Sequence, residues 1–447
     1  MEQLRLIDIG IWLVYVTLAT LLLWIYRNSR RKDYYSFFLK GFAIKVFGGM
    51  AFALIYIYYY GFGDSFLYHK GASVLSDVLL DAPEDYFRLL FSKSGQLPPD
   101  LSAYSSTIAY SNTFEEWFMV KLLSPISLIS FKSYFVSNFF TSLLAFWGSW
   151  KLFQVFIDII PDRRQMAFAL IFLMPSVIFW GGGLMKDTIT LCGINFLIYY
   201  LYFMLVYKRN ILRYSIGVII WGYLVFNLKS YILIAFIPGA LMFVYFHFKS
   251  RIESRAVRIM LTPFFFFLIF TIGYLGIEGL STKSQKYSVD ELEYKVKGFH
   301  SWHTDLGGSS YDLGEFEFTP LGIVSKIPAS LNVTFFRPYL WESRSPVVLL
   351  GAMESLLFLF FFLRMLFIAN VRTLKYLRES PFLMGMLSFV LIFGFAVGFT
   401  SYNFGALARY KIPILALFAM MIYFVIYRAK KTTERETAHL DAEITSL

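Results

Sequence analysis

Apolar runs of about 20 residues, the length that crosses the hydrocarbon of a bilayer, recur along the chain between short polar segments. About eleven of them predict membrane helices, near 7–26, 38–60, 133–156, 166–183, 184–207, 213–228, 231–248, 259–279, 346–368, 381–400 and 411–427. Two places in the pattern are weak. Runs 166–183 and 184–207 abut through Gly181, Gly182 and Gly183, and 213–228 is short. Either place also fits a broken or re-entrant helix, whose backbone must then be satisfied by protein or by a water-filled cavity. The expected fold class is an all-α polytopic membrane bundle over 1–431, with a short, charged, frayed cytoplasmic tail over 432–447.

Two polar stretches, 61–132 and 280–345, are much longer than the other connections. The first holds two amphipathic pieces: 73–91, with Leu75, Val78, Leu79, Leu90 and Phe91, and 114–131, with Phe114, Trp117, Phe118, Leu122 and Leu123. Both fit either a position flat in the membrane interface or packing on the bundle. The second has a charged part (Asp290, Glu291, Glu293, Lys295, Lys297), then a His, Trp and Gly part from His300 to Tyr311. This second stretch contains no GxxxxGK, HExxH or GxSxG motif, and the chain has no visible internal repeat.

Composition agrees with lipid as the solvent. The chain is 57% hydrophobic, 20% aromatic and 16% charged, with a mean hydropathy of +0.59, whereas a soluble domain is about half apolar and a quarter charged. The single cysteine, Cys192, excludes a disulfide within the chain and a multi-cysteine metal cluster. The net charge of +11 forms no stripe of the kind that binds nucleic acid. It falls in six clusters: Arg27, Arg30, Arg31 and Lys32; Arg163 and Arg164; Lys208, Arg209 and Arg213; Lys249, Arg251, Arg255 and Arg258; Arg372, Lys375 and Arg378; and Arg428, Lys430 and Lys431. In the eleven-helix arrangement all six lie on one side, which the positive-inside rule makes cytoplasmic. The N-terminus and both long loops are then outside, the C-terminus is inside, and the first helix is a retained anchor because its basic flank follows it. A bacterial inner membrane protein with its working face outward is the expectation.

Candidate chemistry gathers on that outer side. Asp64, Tyr68 and His69 lie in the run Gly63-Asp64-Ser65-Phe66-Leu67-Tyr68-His69-Lys70-Gly71-Ala72, just after the second apolar run. A partly desolvated carboxylate there gains basicity and can deprotonate a hydroxyl; equally, Asp is a favoured helix cap. Lys186 and Asp187 follow three glycines at membrane depth, and they fit either a polar pocket or a solvated turn. Asn227, Lys229 and Tyr231 sit at another outer turn, Arg337 and Glu342 end the second loop, and Arg409 opens the last helix. These cations suit either a lipid phosphate or snorkelling to headgroups. His300 and His303 with scattered acids form only a weak metal signal, so no metal or cofactor is assigned.

Taken in order, these segments resemble the GT-C superfamily of polyprenyl-phosphate-sugar-dependent membrane glycosyltransferases, of the kind that builds bacterial surface polysaccharide. Gly63-Asp64-Ser65 with Tyr68 is similar to that family's catalytic outer-loop segment, and Pro175-Ser176 leading to Lys186-Asp187 to its Pro-Ser-x-x-Phe-x-Ser stretch. Arg409-Tyr410-Lys411-Ile412-Pro413 resembles Arg-Tyr-Arg-x-Pro, and Arg337-Pro338-Tyr339-Leu340-Trp341-Glu342 an Arg-Pro-Phe-x-Trp-Glu segment. Glycine replaces the family's serine at 181–183, and no second acid adjoins Asp64. The resemblance implies an inverting transferase with Asp64 as general base. Lys186, Lys229 and Arg409 would hold the carrier phosphate, and Arg337 and Glu342 would shape the site. Its partners would be a polyprenyl-phosphate-linked sugar, membrane lipid, and a glycan, lipid or protein acceptor. Two other readings stay open: a polysaccharide polymerase or ligase that depends on the arginines, and a non-catalytic membrane subunit or lipid-linked substrate transporter.

Overall fold

The computed structural model describes residues 4–208, 210–249, 251–283 and 310–446. Among these residues the secondary structure is helical, with isolated bridges at Lys93 with Gln96 and Ser310 with Asn403 and no strand. Seven helices among them are long and apolar enough to cross a membrane: Leu6–Asn28, Asp33–Tyr60, Lys186–Tyr207, Ile211–Lys249, Pro346–Arg378, Pro381–Thr400 and Ile412–Ala438. Phe114–Ile129 and Tyr134–Ile159 meet at 112° and make an eighth if the bent pair is one span.

The structure differs from the eleven-run pattern at definite places. Run 166–183 divides into Arg164–Phe172 and the five-residue helix Pro175–Phe179, because Pro175 lacks an N–H and starts a new helix as its first residue. Runs 213–228 and 231–248 are two helical stretches within Ile211–Lys249, parted at Lys229 (φ −153°, ψ 77°), where the sequence places a turn. Run 259–279 lies within Arg255–Lys283. The tail expected over 432–447 carries on the last helix, which continues to Ser446 through the good helix formers Ala, Glu, Arg and Leu.

The chain divides into two compact units, one of Met1–Val155, Arg164–Tyr200 and Leu212–Ser230, the other of Phe156–Arg163, Leu201–Ile211 and Tyr231–Leu447. In the first, α1 (Leu6–Asn28) is followed by α2 (Phe38–Ile55), which ends in a π-helical turn over Tyr56–Tyr60. Gly61 (φ 68°) and Gly63 (φ 126°) then turn the chain into α3 (Asp64–Asp81). Backbone angles of that sign are open to glycine at no steric cost.

The amphipathic pieces pack on one another. Tyr68, Ala72, Leu75 and Val78 of α3 recur at helical spacing, α4 (Pro83–Phe91) adds Tyr86 and Leu89, and α5 (Phe114–Ile129) adds Trp117, Val120 and Leu123. Leu184, Ile189 and Leu228 also belong to this core. Phe87, Phe91 and Phe114 stay exposed.

Between the helix Pro175–Phe179 and α6 (Lys186–Tyr207) the backbone is irregular yet buried. Side chains of other segments satisfy it. Lys45 Nζ donates to the Val177 carbonyl at 3.0 Å, Ser142 Oγ to Gly182 O at 2.9 Å and Ser65 Oγ to Leu184 O at 2.7 Å. The Leu184 N–H donates to Asn138 Oδ1 at 2.8 Å, and Thr188 Oγ1 donates to Trp180 O at 3.0 Å. Lys45, fully buried in α2, escaped notice as one cation inside an apolar run.

In the second unit, Thr319-Pro320, Ser345-Pro346 and Ser380-Pro381 each begin a helix. The hydroxyl accepts an N–H of the first turn and the proline takes the first helical position. Ile327–Phe336 packs on Pro381–Thr400, and the Phe335 ring stacks on Phe418 at 4.0 Å.

Gly48 of α2 lies so near the elbow that a Cβ there would sit 2.2 Å from the Ile178 carbonyl oxygen. Gly48→Ala should destabilise the protein by about 1–3 kcal/mol through overpacking, read as a lowered Tm in detergent. An unchanged Tm would show that this approach is not tight.

Candidate functional site

The first unit brings Asp64, Tyr68, Lys186, Asp187 and Lys229 into one neighbourhood. Asp64 is the first helical residue of α3, and Gly63, not Asp64, occupies the cap position. The Asp64 carboxylate instead accepts a hydrogen bond from the Tyr110 hydroxyl, O–H to Oδ1, at 2.7 Å. Tyr110 also packs on Tyr68, with ring centroids 5.1 Å apart. Tyr68 is buried, and burial first, then the negative charges of Asp64 and Glu116, with Tyr110 and Asp187 behind them, push its phenol above the ordinary range. It is therefore a neutral hydroxyl, a hydrogen-bond donor rather than a base. His69 is buried against the edge of Tyr134, with ring centroids 5.5 Å apart.

The lysines are held by carboxylates. Lys186 Nζ lies 2.6 Å from Glu116 Oε1 and 3.2 Å from Glu115 Oε2, and Lys229 Nζ lies 2.5 Å from Asp187 Oδ1. Glu115 and Glu116 stand in the first turn of α5 and Asp187 in the first turn of α6, where the helix dipole favours anions. Lys186 stands at a helix N-terminus, a poor place for a cation, and two carboxylates offset that. Lys229 reaches Asp187 from the point where its own helix departs from helical geometry. Lys186 and Asp187 thus occupy a buried polar pocket and not a solvated turn.

Glu115, Glu116 and Tyr110 escaped the sequence reading. First-turn acids look like ordinary helix starts. The available signal was spacing, because Glu115 lies four residues before Met119 and eight before Leu123, on the buried face. Tyr110 lies in irregular chain, and its partner is 46 residues away.

Arg337, Glu342 and Arg409 belong to the second unit. Arg337 pairs with Glu342 through Nε, at 3.0 and 3.1 Å, and through Nη2. The Tyr339 N–H also donates to Glu342, at 2.7 Å. The Arg337 guanidinium lies 5.7 Å from the Tyr311 ring and 5.5 Å from the Phe404 ring, so the end of the second loop meets the segment that carries Arg409. Arg409 donates to the Tyr410 hydroxyl at 3.0 Å. Lys411, one residue on, is buried and donates to the Thr334 carbonyl at 3.0 Å.

No family model, curated protein or solved structure matches the chain. Among the described residues no group of three or more His, Cys, Asp or Glu side chains could hold a metal ion. His300, His303 and the acids at 290–293 lie outside the described residues.

Two measurements test this arrangement. Lys229→Met leaves Asp187 buried without its ammonium and should cost about 3–5 kcal/mol in detergent unfolding, most of it recovered in the double variant Lys229→Met/Asp187→Leu. Additive losses would mean that the two residues do not interact. The second concerns alkaline pH. Because the folded state raises the Tyr68 phenol above its ordinary 10.0, its contribution is complete below about pH 10 and is lost as pH rises further, when the unfolded phenol ionises. Tyr68→Phe should accordingly lose less stability than the wild type across that range, and superimposable pH profiles would contradict the assignment.

Proposed function

We propose that the chain is a membrane glycosyltransferase that moves a sugar from a polyprenyl-phosphate carrier to an acceptor on the extracytoplasmic face of a bacterial inner membrane, in the synthesis of cell-surface glycan. The observation that carries the reading is Asp64. It is a half-buried carboxylate at the start of α3, directly after an apolar helix, oriented by Tyr110 and neighboured by Tyr68 and the Glu116–Lys186 pair.

In this reading the acceptor hydroxyl gives its proton to the Asp64 carboxylate as its oxygen bonds to the anomeric carbon. The bond from that carbon to the phosphate oxygen breaks, and the polyprenyl phosphate leaves with the bonding electrons. Configuration at the carbon inverts. The hydrogen bond from Tyr110 fixes the direction of the carboxylate, which is what a general base needs before basicity matters. Lys186 carries three N–H donors, and beside Glu115 and Glu116 one remains for a phosphate oxygen; Asp187 fixes Lys229 for the same task. The four carboxylates near Tyr68 and the lysines suit the hydroxyls of a sugar, which donate to them.

The polymerase or ligase reading has its own support. Arg337 is held by Glu342 and by aromatic faces, which presents a planar guanidinium in fixed orientation, as recognition of phosphate requires. Arg337 and Arg409, and not Asp64, would then be indispensable.

Membranes carrying wild type, Asp64→Asn or Arg337→Gln, supplied with their native polyprenyl-linked sugars, separate the readings by mass spectrometry of the glycosylated product. Asp64→Asn should lower transfer by about 10²–10⁴-fold, the usual range for removal of a general base, with an unchanged Tm. Undiminished transfer by that variant refutes the glycosyltransferase assignment, and its loss in Arg337→Gln alone favours the alternative.

A further inference from the structure

The second unit contains a cavity of about 310 Å³, at the small end of the range for ligand pockets. Its walls are aromatic. Tyr202, Phe243 and Phe382 pack on one another with centroids 5.3–6.1 Å apart, and Phe424 adds a fourth ring. Its polar groups include Ser380, His247 and the ion pair between Arg428 and Glu379, whose side chains are 38% and 32% exposed. The Tyr202 hydroxyl donates to Asp158 at 2.8 Å, which places a second carboxylate behind the ring wall. None of these residues belongs to the site argued above.

The lining combines two kinds of recognition. A guanidinium and an imidazole suit a phosphate diester. Carboxylate and ring faces together suit a primary ammonium, whose N–H groups reach Glu379 while its charge rests on the rings. A ligand with both groups a few bonds apart pairs with Arg428 and Glu379 head to tail and keeps the cavity neutral. The position narrows the source. The lining residues stand at the helix ends that bear the basic clusters Arg163, Lys208, Lys249, Arg378 and Lys430, which is headgroup level for spanning helices.

We propose that this cavity binds the phosphoethanolamine headgroup of a membrane phospholipid, independently of the transfer reaction. Phosphatidylglycerol lacks the ammonium, and phosphatidylcholine lacks the N–H donors that Glu379 requires.

The test is native mass spectrometry of the delipidated full-length protein in detergent, offered equal amounts of phosphatidylethanolamine, phosphatidylcholine and phosphatidylglycerol. Phosphatidylethanolamine adducts should exceed each of the others about tenfold. Arg428→Gln and Glu379→Gln should each lower them at least about fivefold. Val206→Phe, which fills the cavity without touching the ion pair, should do the same and carries the test if either charge variant unfolds. The exposed Arg372→Gln should change nothing. Equal uptake of phosphatidylglycerol, or undiminished uptake by Val206→Phe, overturns the proposal. Displacement of the lipid by millimolar free phosphoethanolamine assigns the cavity to a soluble compound and overturns the lipid assignment.

Discussion

A peptide group that leaves helical pairing inside a packed, apolar unit must find another partner, because no water is there to supply one. The segment between Val177 and Met185 meets that demand through Lys45, Ser65, Asn138, Ser142 and Thr188, which come from both sides of it in sequence. The first unit is organised by this requirement. α2 approaches the elbow at Gly48 and Gly49, where any larger residue would strike backbone or side chain. Asn138 and Ser142, one helical turn apart, fix its far side. Once the elbow is held, Lys186 and Asp187 have a single direction in which to start the next helix, and the polar cluster follows from that.

The cluster obeys a second rule. Buried charges persist when each is paired, although a buried pair adds little net stability over apolar residues of the same volume. Stability is therefore a weak reason for Glu115, Glu116, Lys186, Asp187 and Lys229 to be there. Three helix segments supply them, each from an end or a break, where backbone dipoles and orphan N–H groups already favour polar company. Asp64 stands at the start of a fourth. Such convergence of helix starts in one unit gives fixed, directed polar atoms beside the buried core that includes Tyr68, Trp117, Leu184 and Leu228.

Much of the fold was legible in the sequence, and the illegible part has a physical pattern. Hydropathy located the long apolar helices because a segment that crosses lipid must be apolar along most of its length. Pro175 and the three glycines marked the elbow. The turn at Lys229 was legible between two apolar runs, but its partner, 42 residues away, left no local sign. The amphipathic segments in 61–132 showed an apolar face, but periodicity does not say whether lipid or another helix covers it. For the site, Asp64, Lys186, Asp187 and Lys229 were visible as charges in apolar surroundings. Glu115, Glu116 and Tyr110 were not, since each looks ordinary within its own segment and gains meaning only through tertiary contact. Lys411 was seen only as part of a motif, and its contact with the Thr334 carbonyl belongs to packing.

The π-helical turn at Tyr56–Tyr60 has a consequence of its own. It carries one more residue than an α-helical turn would use, and the Gly61 N–H closes it on the Tyr56 carbonyl at 2.9 Å. One residue of an α-helix corresponds to about 100° of rotation. The heading at which the chain leaves α2 is thus set by how many residues occupy the turn, more than by which residues they are. Loss of a single tyrosine from that run, with every polar side chain intact, would swing the exit by roughly that angle and turn the carboxylate away from its partners.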